Sequence, residues 1–171
     1  MGSVGARTAL RNMLASLEAV QTWLSKTGRT VDSQATALPH IYAEALPPPA
    51  DGKRYTLAEL TGYRPFILVW RDTHTTQRMS TTGGVSSGTY LVQFEEDIDS
   101  ADLSDLSASS TDLETEVDGI IDALWDASQV TSGNLPITAT TIEDGPTRVD
   151  YSAIAEQGDH HAMLVSIDFG D

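Results

Sequence analysis

Leu113, Val117, Ile120, Ile121, Leu124 and Trp125 are spaced as one stripe of an α-helix, at offsets of 4, 7, 8, 11 and 12 from the first. Asp112, Glu114, Glu116, Asp118, Asp122 and Asp126 occupy the intervening positions. Thr111 and Glu114 have capping-box spacing, and Gly133 and Pro136 are stop signals downstream. The pattern therefore predicts a helix over 110–128 that buries six apolar side chains. That burial contributes on the order of 10 kcal/mol as an upper bound, so a sheet or another helix must cover the stripe.

A second helix is predicted over 6–25, with Leu10, Met13, Leu14, Leu17, Val20 and Leu24 on one side. Residues 30–36 read as loop. Residues 38–45 alternate as a strand, with Pro39 at its start, and 47–49 form a stiff proline turn. A short helical turn is expected around Leu57 and Leu60. Phe66-Ile67-Leu68-Val69-Trp70 is a continuous apolar run, as expected of a strand covered on both faces. Thr89 to Glu95 alternates as its hairpin partner. The polar stretch 72–88 between them reads as a long loop, an interaction element outside the core. Residues 96–109 form an acidic linker, and strands are expected over 135–143, 148–154 and 161–169. The expected fold is a single α+β domain spanning 1–171, in the order α-β-β-β-α-β-β-β. A mixed, mainly antiparallel sheet is packed by two helices, with the long loop in the central hairpin.

Charge changes this picture. Residues 1–78 carry net +3 and residues 79–171 net −18, which together give −15. Lysine occurs only at Lys26 and Lys53, against 16 Asp and 9 Glu. Such an acidic half repels nucleic-acid phosphate. Three readings fit: an ordinary solvated acidic surface, adaptation to high salt, or copies that meet basic half to acidic half. Cysteine is absent, which excludes disulfides, thiolate catalysis and sulfur-ligated zinc. No apolar run reaches the roughly 18 residues of a membrane helix, and Met1 to Thr8 has no apolar block like a signal peptide.

Candidate chemistry is thin. Gly84-Val85-Ser86-Ser87-Gly88 fits the G-x-S-x-G pattern, but that pattern needs a strand before it and a helix after it. Glu95 to Asp102 is rich in carboxylates yet fails the EF-hand pattern, with Asp102 where glycine is required and Ala108 where glutamate is required. His160 and His161 are adjacent, so regular strand geometry sends them to opposite faces and they cannot share a metal. No catalytic, cofactor or metal residues are expected. Arg71, His74, Arg78 and Met79 are the candidate interface residues, as the basic cluster of the middle chain and its neighbouring methionine.

The succession of a leading helix, "AEALPPPADG", "RPFILVW", a long loop, "GTYLVQFE" and "LETEVDGIIDALWDAS" resembles the tail-terminator and neck (head–tail joining) proteins of long-tailed viruses. The resemblance covers most of 6–169 and lies in layout, without a diagnostic motif. It implies a non-enzymatic virion protein, assembled in the host cytoplasm, that forms a homo-oligomeric ring, commonly a hexamer. The ring ends tail-tube polymerisation and contacts the tube protein and the head connector. DNA passes through its lumen without specific binding, and no membrane or cofactor is involved. With the high-salt reading, the host is a halophile. A neighbouring neck component is the nearest alternative, and a small-ligand or peptide binding module is the alternative outside viruses.

Overall fold

The computed structural model describes residues 3–78, 84–98, 106–129, 138–144, 148–150 and 160–170. In chain order these form helices α1 (Ser3–Ser16), α2 (Glu18–Leu24) and α3 (Gln34–Ala37), then strand β1 (Ile41–Ala43), helix α4 (Leu57–Tyr63) and strands β2 (Phe66–Arg78) and β3 (Gly84–Asp97). Helix α5 (Leu106–Gln129) and strands β4 (Thr138–Asp144), β5 (Arg148–Asp150) and β6 (His160–Gly170) follow. The strands form one sheet in the order β1-β2-β3-β6-β4, with β5 also paired to β6. Among the described residues only β1 and β2 run parallel, and the other pairings are antiparallel. The fold is thus the expected α+β class with a mainly antiparallel sheet.

The core lies on one face of the sheet, where the cross-strand rows Ile41–Ile67–Phe94–Met163 and Val69–Val92–Val165 are all buried. Leu10, Met13 and Leu14 of α1, Val20, Trp23 and Leu24 of α2, and Leu113, Val117, Ile120 and Leu124 of α5 close over it. Trp23 meets Phe94 edge to face at 5.6 Å between ring centroids. Among the described residues no helix is long and apolar enough to cross a membrane.

Several expectations change. The first helix is two helices: Leu17 is extended (φ −76°, ψ 129°), and the chain restarts at Glu18, whose carboxylate suits a helix N-terminus. Three helices, α1, α2 and α5, therefore cover the core face of the sheet. Residues 34–37, expected as loop, form α3, capped by reciprocal Ser33 and Thr36 hydrogen bonds. Pro39 belongs to a 3-10 turn over Leu38–His40, so β1 begins only at Ile41. Helix α5 starts at Leu106, so Thr111 is an interior residue whose carbonyl accepts from the Thr115 hydroxyl. Trp125 does not join the core but is 40% exposed. Residues 135–137 and 151–154 lie outside the described residues.

The largest correction concerns 72–88. Its described residues are strand: Thr73↔Thr89, His74↔Gly88, Thr75↔Ser87, Thr76↔Ser86, Gln77↔Val85 and Arg78↔Gly84 continue the β2–β3 ladder. Threonine is β-branched and suits a pleated backbone, and a ribbon without a covered face shows no apolar alternation to betray it.

Candidate interaction surface

The second face of the sheet is only partly covered. At the β1 side, the β1–α4 connection and α4 lie over it. Tyr55, Tyr63, Tyr42 and Phe66 form a chain of edge-to-face contacts at 5.8–6.5 Å. In the middle, Leu68, Trp70 and Leu91 are half-buried and Leu164 is 38% exposed. They form adjoining cross-strand rows, Leu68–Gln93–Leu164 and Trp70–Leu91–Ser166. Among the described residues no helix lies over this strip, and an apolar strip left partly open on a sheet face marks a candidate contact surface.

This strip leads into the hairpin. β6 accompanies β3 only as far as Ser87↔Gly170. Beyond it, Thr76–Arg78 and Gly84–Ser86 pair with each other and with no third strand among the described residues. A two-stranded ribbon is marginal in water on its own. The register shifts between Arg71 and Thr73, where a bulge bends and twists the ribbon. Of the sequence candidates, Arg71 is exposed opposite Tyr90, while His74 and Arg78 stand further out on the same strand. Met79 lies outside the described residues. The three candidates within the described chain therefore share one strand of a protruding hairpin instead of a loop.

The carboxylates and histidines singled out in the sequence are occupied within the fold. Arg64, 2% exposed, donates from Nε to Glu95 Oε1 at 2.8 Å and from a terminal nitrogen to Asp97 Oδ1 at 2.8 Å. Gln93 Nε2 donates to the other Glu95 oxygen at 3.0 Å, and His160 Nε2 stands 3.8 Å from Glu95 Oε1. His161 faces the opposite way into the core, with Nε2 2.7 Å from Ser109 Oγ, so the two imidazoles do point apart. Asp99 to Asp102 lie outside the described residues. Ser86 sits in β3 opposite Thr76, without the strand–turn–helix setting of a nucleophile elbow. Among the described residues no three His, Asp or Glu side chains are grouped to hold a metal ion.

A second polar group joins α2, β3 and α5. Glu96 accepts from Trp23 Nε1 and from Lys26 Nζ, both at 3.1 Å, and Lys26 also pairs with Glu116. Burial pushes the Glu96 carboxyl above its usual range, outweighing the attraction of Lys26, and like-charged Glu116 adds to the shift. Burial alone lowers the Lys26 ammonium, but the hydrogen bond to Glu116 and the charge of Glu96 outweigh it and hold it above its usual value. Two carboxylates thus share one cation.

The sign for Glu96 follows from its raised pKa. Wherever the carboxyl is ionised, the folded state bears the burial cost. As pH falls through the folded pKa, the cost disappears. Glu96→Gln, which keeps an acceptor for Trp23 and Lys26, is expected to stabilise the fold at pH 7–8 by on the order of 1 kcal/mol. The gain should vanish once pH drops below the ordinary carboxylate pKa. Paired denaturant titrations of wild type and variant across pH check this. A variant less stable at pH 8 would show that the ionised carboxylate is a net stabiliser.

No protein-family model matches the chain, and no curated protein matches it significantly.

Proposed function

We propose that this chain is a structural subunit of a tailed virus particle. Repeated copies close into a ring at the head-proximal end of the tail, end tube polymerisation and join the tail to the head connector. The observation that supports this reading best is the hairpin that outruns the sheet, continuous with the uncovered apolar strip of Leu68, Trp70, Leu91 and Leu164. No third strand joins the end of the ribbon among the described residues, and an assembly would cover both the ribbon and the strip. The layout resemblance supplies the viral setting and the expectation of six copies.

Charge supports head-to-tail contacts. In a two-fold dimer identical patches meet, so a patch drawn from the acidic half would set acidic surface against acidic surface. In a heterologous contact the basic part of one copy faces the acidic part of the next, and a fixed rotation closes the ring. Charge steers such docking, and apolar side chains supply most of its affinity.

Mass photometry and negative-stain microscopy at high salt, with and without tail-tube and connector proteins, are expected to show a closed ring. Replacing Thr76–Ser86 by Asn-Gly, a two-residue turn that preserves the Thr75–Ser87 pair, should leave the melting midpoint within a few degrees and impair assembly. A monomer under all these conditions, or an isologous dimer, would overturn the proposal. Full assembly by the shortened variant would remove the hairpin from it.

A further inference from the structure

The sheet ends in two different edges. In the order β1-β2-β3-β6-β4, β2 lies near one side with only a short outer partner, and β4 closes the other side. β1 accompanies β2 over Ile41↔Ile67, Tyr42↔Leu68 and Ala43↔Val69 and no further. The cause is local. The Glu44 N–H still donates to the Val69 carbonyl at 2.9 Å, but Glu44 is left-handed (φ +69°) and turns the chain off the edge. The Ala45 N–H then donates back to the Ala43 carbonyl at 2.9 Å. A left-handed conformation is unfavourable for a residue with a Cβ. Here it falls at the point where a longer β1 would cover the rest of β2. Among the described residues, 70–78 then pairs with β3 alone.

At the far side β4 pairs only with β6 among the described residues. Gln129 Nε2 of α5 donates to the Ala139 carbonyl at 2.9 Å, which occupies one backbone acceptor at the start of the strand. The register shifts between Ala139 and Thr141 and, on β2, between Arg71 and Thr73. Past these bulges each strand runs regularly, over 73–78 on β2 and 141–144 on β4. Neither stretch contains lysine or proline, residues that often guard an exposed edge.

Strand direction makes the two edges mates. β2 with β3, β3 with β6 and β6 with β4 are antiparallel pairs, so β4 runs opposite to β2. A neighbour brought in by rotation about an axis along the strands presents its β2 in the same direction as the first copy's own. Set beside β4, that strand continues the antiparallel alternation, with residues of one face paired to each other. The two-fold alternative joins β4 to β4. It would put the exposed Glu143 and its neighbour Asp144 from both copies into one short ladder, where like charges are unfavourable. We infer that the open edge of β2 in one copy receives β4 of a second copy of this chain, joining the sheets edge to edge around the ring. The inference rests on the ring reading above and names its contact.

Cross-linking tests it without interference, because the chain has no cysteine. Thr73, Thr89, Asp168 and Thr141 are successive partners in one row across four strands. Within one copy Thr73 and Thr141 therefore stand three strand spacings apart, about 14 Å. A disulfide needs Cα atoms within about 7 Å, so it can form only between copies. Thr73→Cys, Thr75→Cys or Gln77→Cys, each combined with Thr141→Cys or Glu143→Cys, covers the registers that keep paired side chains on one face. Oxidation of the assembled protein is expected to give, for at least one combination, a reductant-sensitive ladder of bands that ends at the copy number of the ring. Circular dichroism selects the combinations that fold. Rings without a ladder from any folded combination would overturn this contact and leave the ring reading standing. A covalent dimer from Thr73→Cys or Thr141→Cys alone would show like edges meeting, and would overturn this contact and head-to-tail assembly together. A wild type that stays monomeric with tail-tube and connector proteins present would overturn the ring reading, and this contact with it.

Discussion

Replacing Arg64 by methionine is expected to destabilise the fold by about 3–5 kcal/mol, the range for removing one partner of a buried ion pair. The guanidinium is 2% exposed and bridges two carboxylates on β3. Methionine fills much of the same volume, so little of the loss comes from packing. The loss arises because Glu95, itself 8% exposed, loses the guanidinium that compensates its burial. Asp97 is better solvated, with 29% side-chain exposure, and contributes less. Arg64 also begins the extended chain that enters β2, and its carbonyl accepts from Arg29, so a fault here loosens the α4 covering of the sheet. Arg64→Met/Glu95→Leu is the informative control. Removing both charges should recover most of the loss, because a buried pair replaced by apolar groups is often neutral. Denaturant titration measures both. A single variant within about 1 kcal/mol of wild type would show that water reaches Glu95 and that this pair is not buried in effect.

That ion pair was not legible in the sequence. Arg64 precedes a proline and an apolar run, which reads as a strand entry, and nothing in the spacing announces that Glu95 and Asp97 will lie opposite. The pairing is set by the β2–β3 register, where Phe66 meets Glu95. The core was easier to read, because Leu113, Val117, Ile120 and Leu124 on one helix and Met163, Val165, Ile167 and Phe169 on one strand obey the 3.6 and 2 periodicities. Trp125 shows where periodicity stops being informative. At 3.6 residues per turn it lies about 120° around the axis from Leu113, on the margin of the stripe, where the width of the neighbouring surface decides burial. Ile121, nearer the centre, is half-buried. The hairpin was misread for a related reason. A ribbon with no core to face carries no period, and composition alone mistook threonine-rich strand for loop. The candidate surface was therefore visible only in part: Arg71, His74 and Arg78 could be named as one basic segment, whereas its hairpin form and the strip of Leu68, Trp70, Leu91 and Leu164 needed the sheet order.

The melting midpoint is expected to rise by at least about 2–4 °C between 0.1 M and 2 M potassium chloride. Net charge is −15, and the described acids are not spread evenly. On α5, Glu114 and Asp118, Asp118 and Asp122, and Asp122 and Asp126 are like-charged neighbours one turn apart, all exposed, with no basic residue anywhere in the helix. Such pairs each destabilise a helix by about 0.2–0.5 kcal/mol, and together they account for roughly 1 kcal/mol before any longer-range repulsion is added. Raising salt from 0.1 M to 1 M shortens the screening length from about 10 Å to about 3 Å, less than the spacing of these side chains. For a chain of this size each 1 kcal/mol recovered raises the midpoint by roughly 2–4 °C. The opposing effect, screening of attractive pairs such as Arg7–Glu44, is smaller because exposed pairs contribute little to begin with. Chloride is chosen over sulfate so that screening is not confused with strengthened burial of apolar surface. Asp118→Asn/Asp122→Asn separates the helix from the rest of the molecule. It should lift the midpoint at 0.1 M and leave it nearly unchanged at 2 M, where the repulsion it removes is already screened. A wild-type midpoint that is flat across the salt series would end the reading of this acidity as an adaptation to high salt. Equal lifting by the variant at both salt concentrations would place its effect in helix propensity instead of charge.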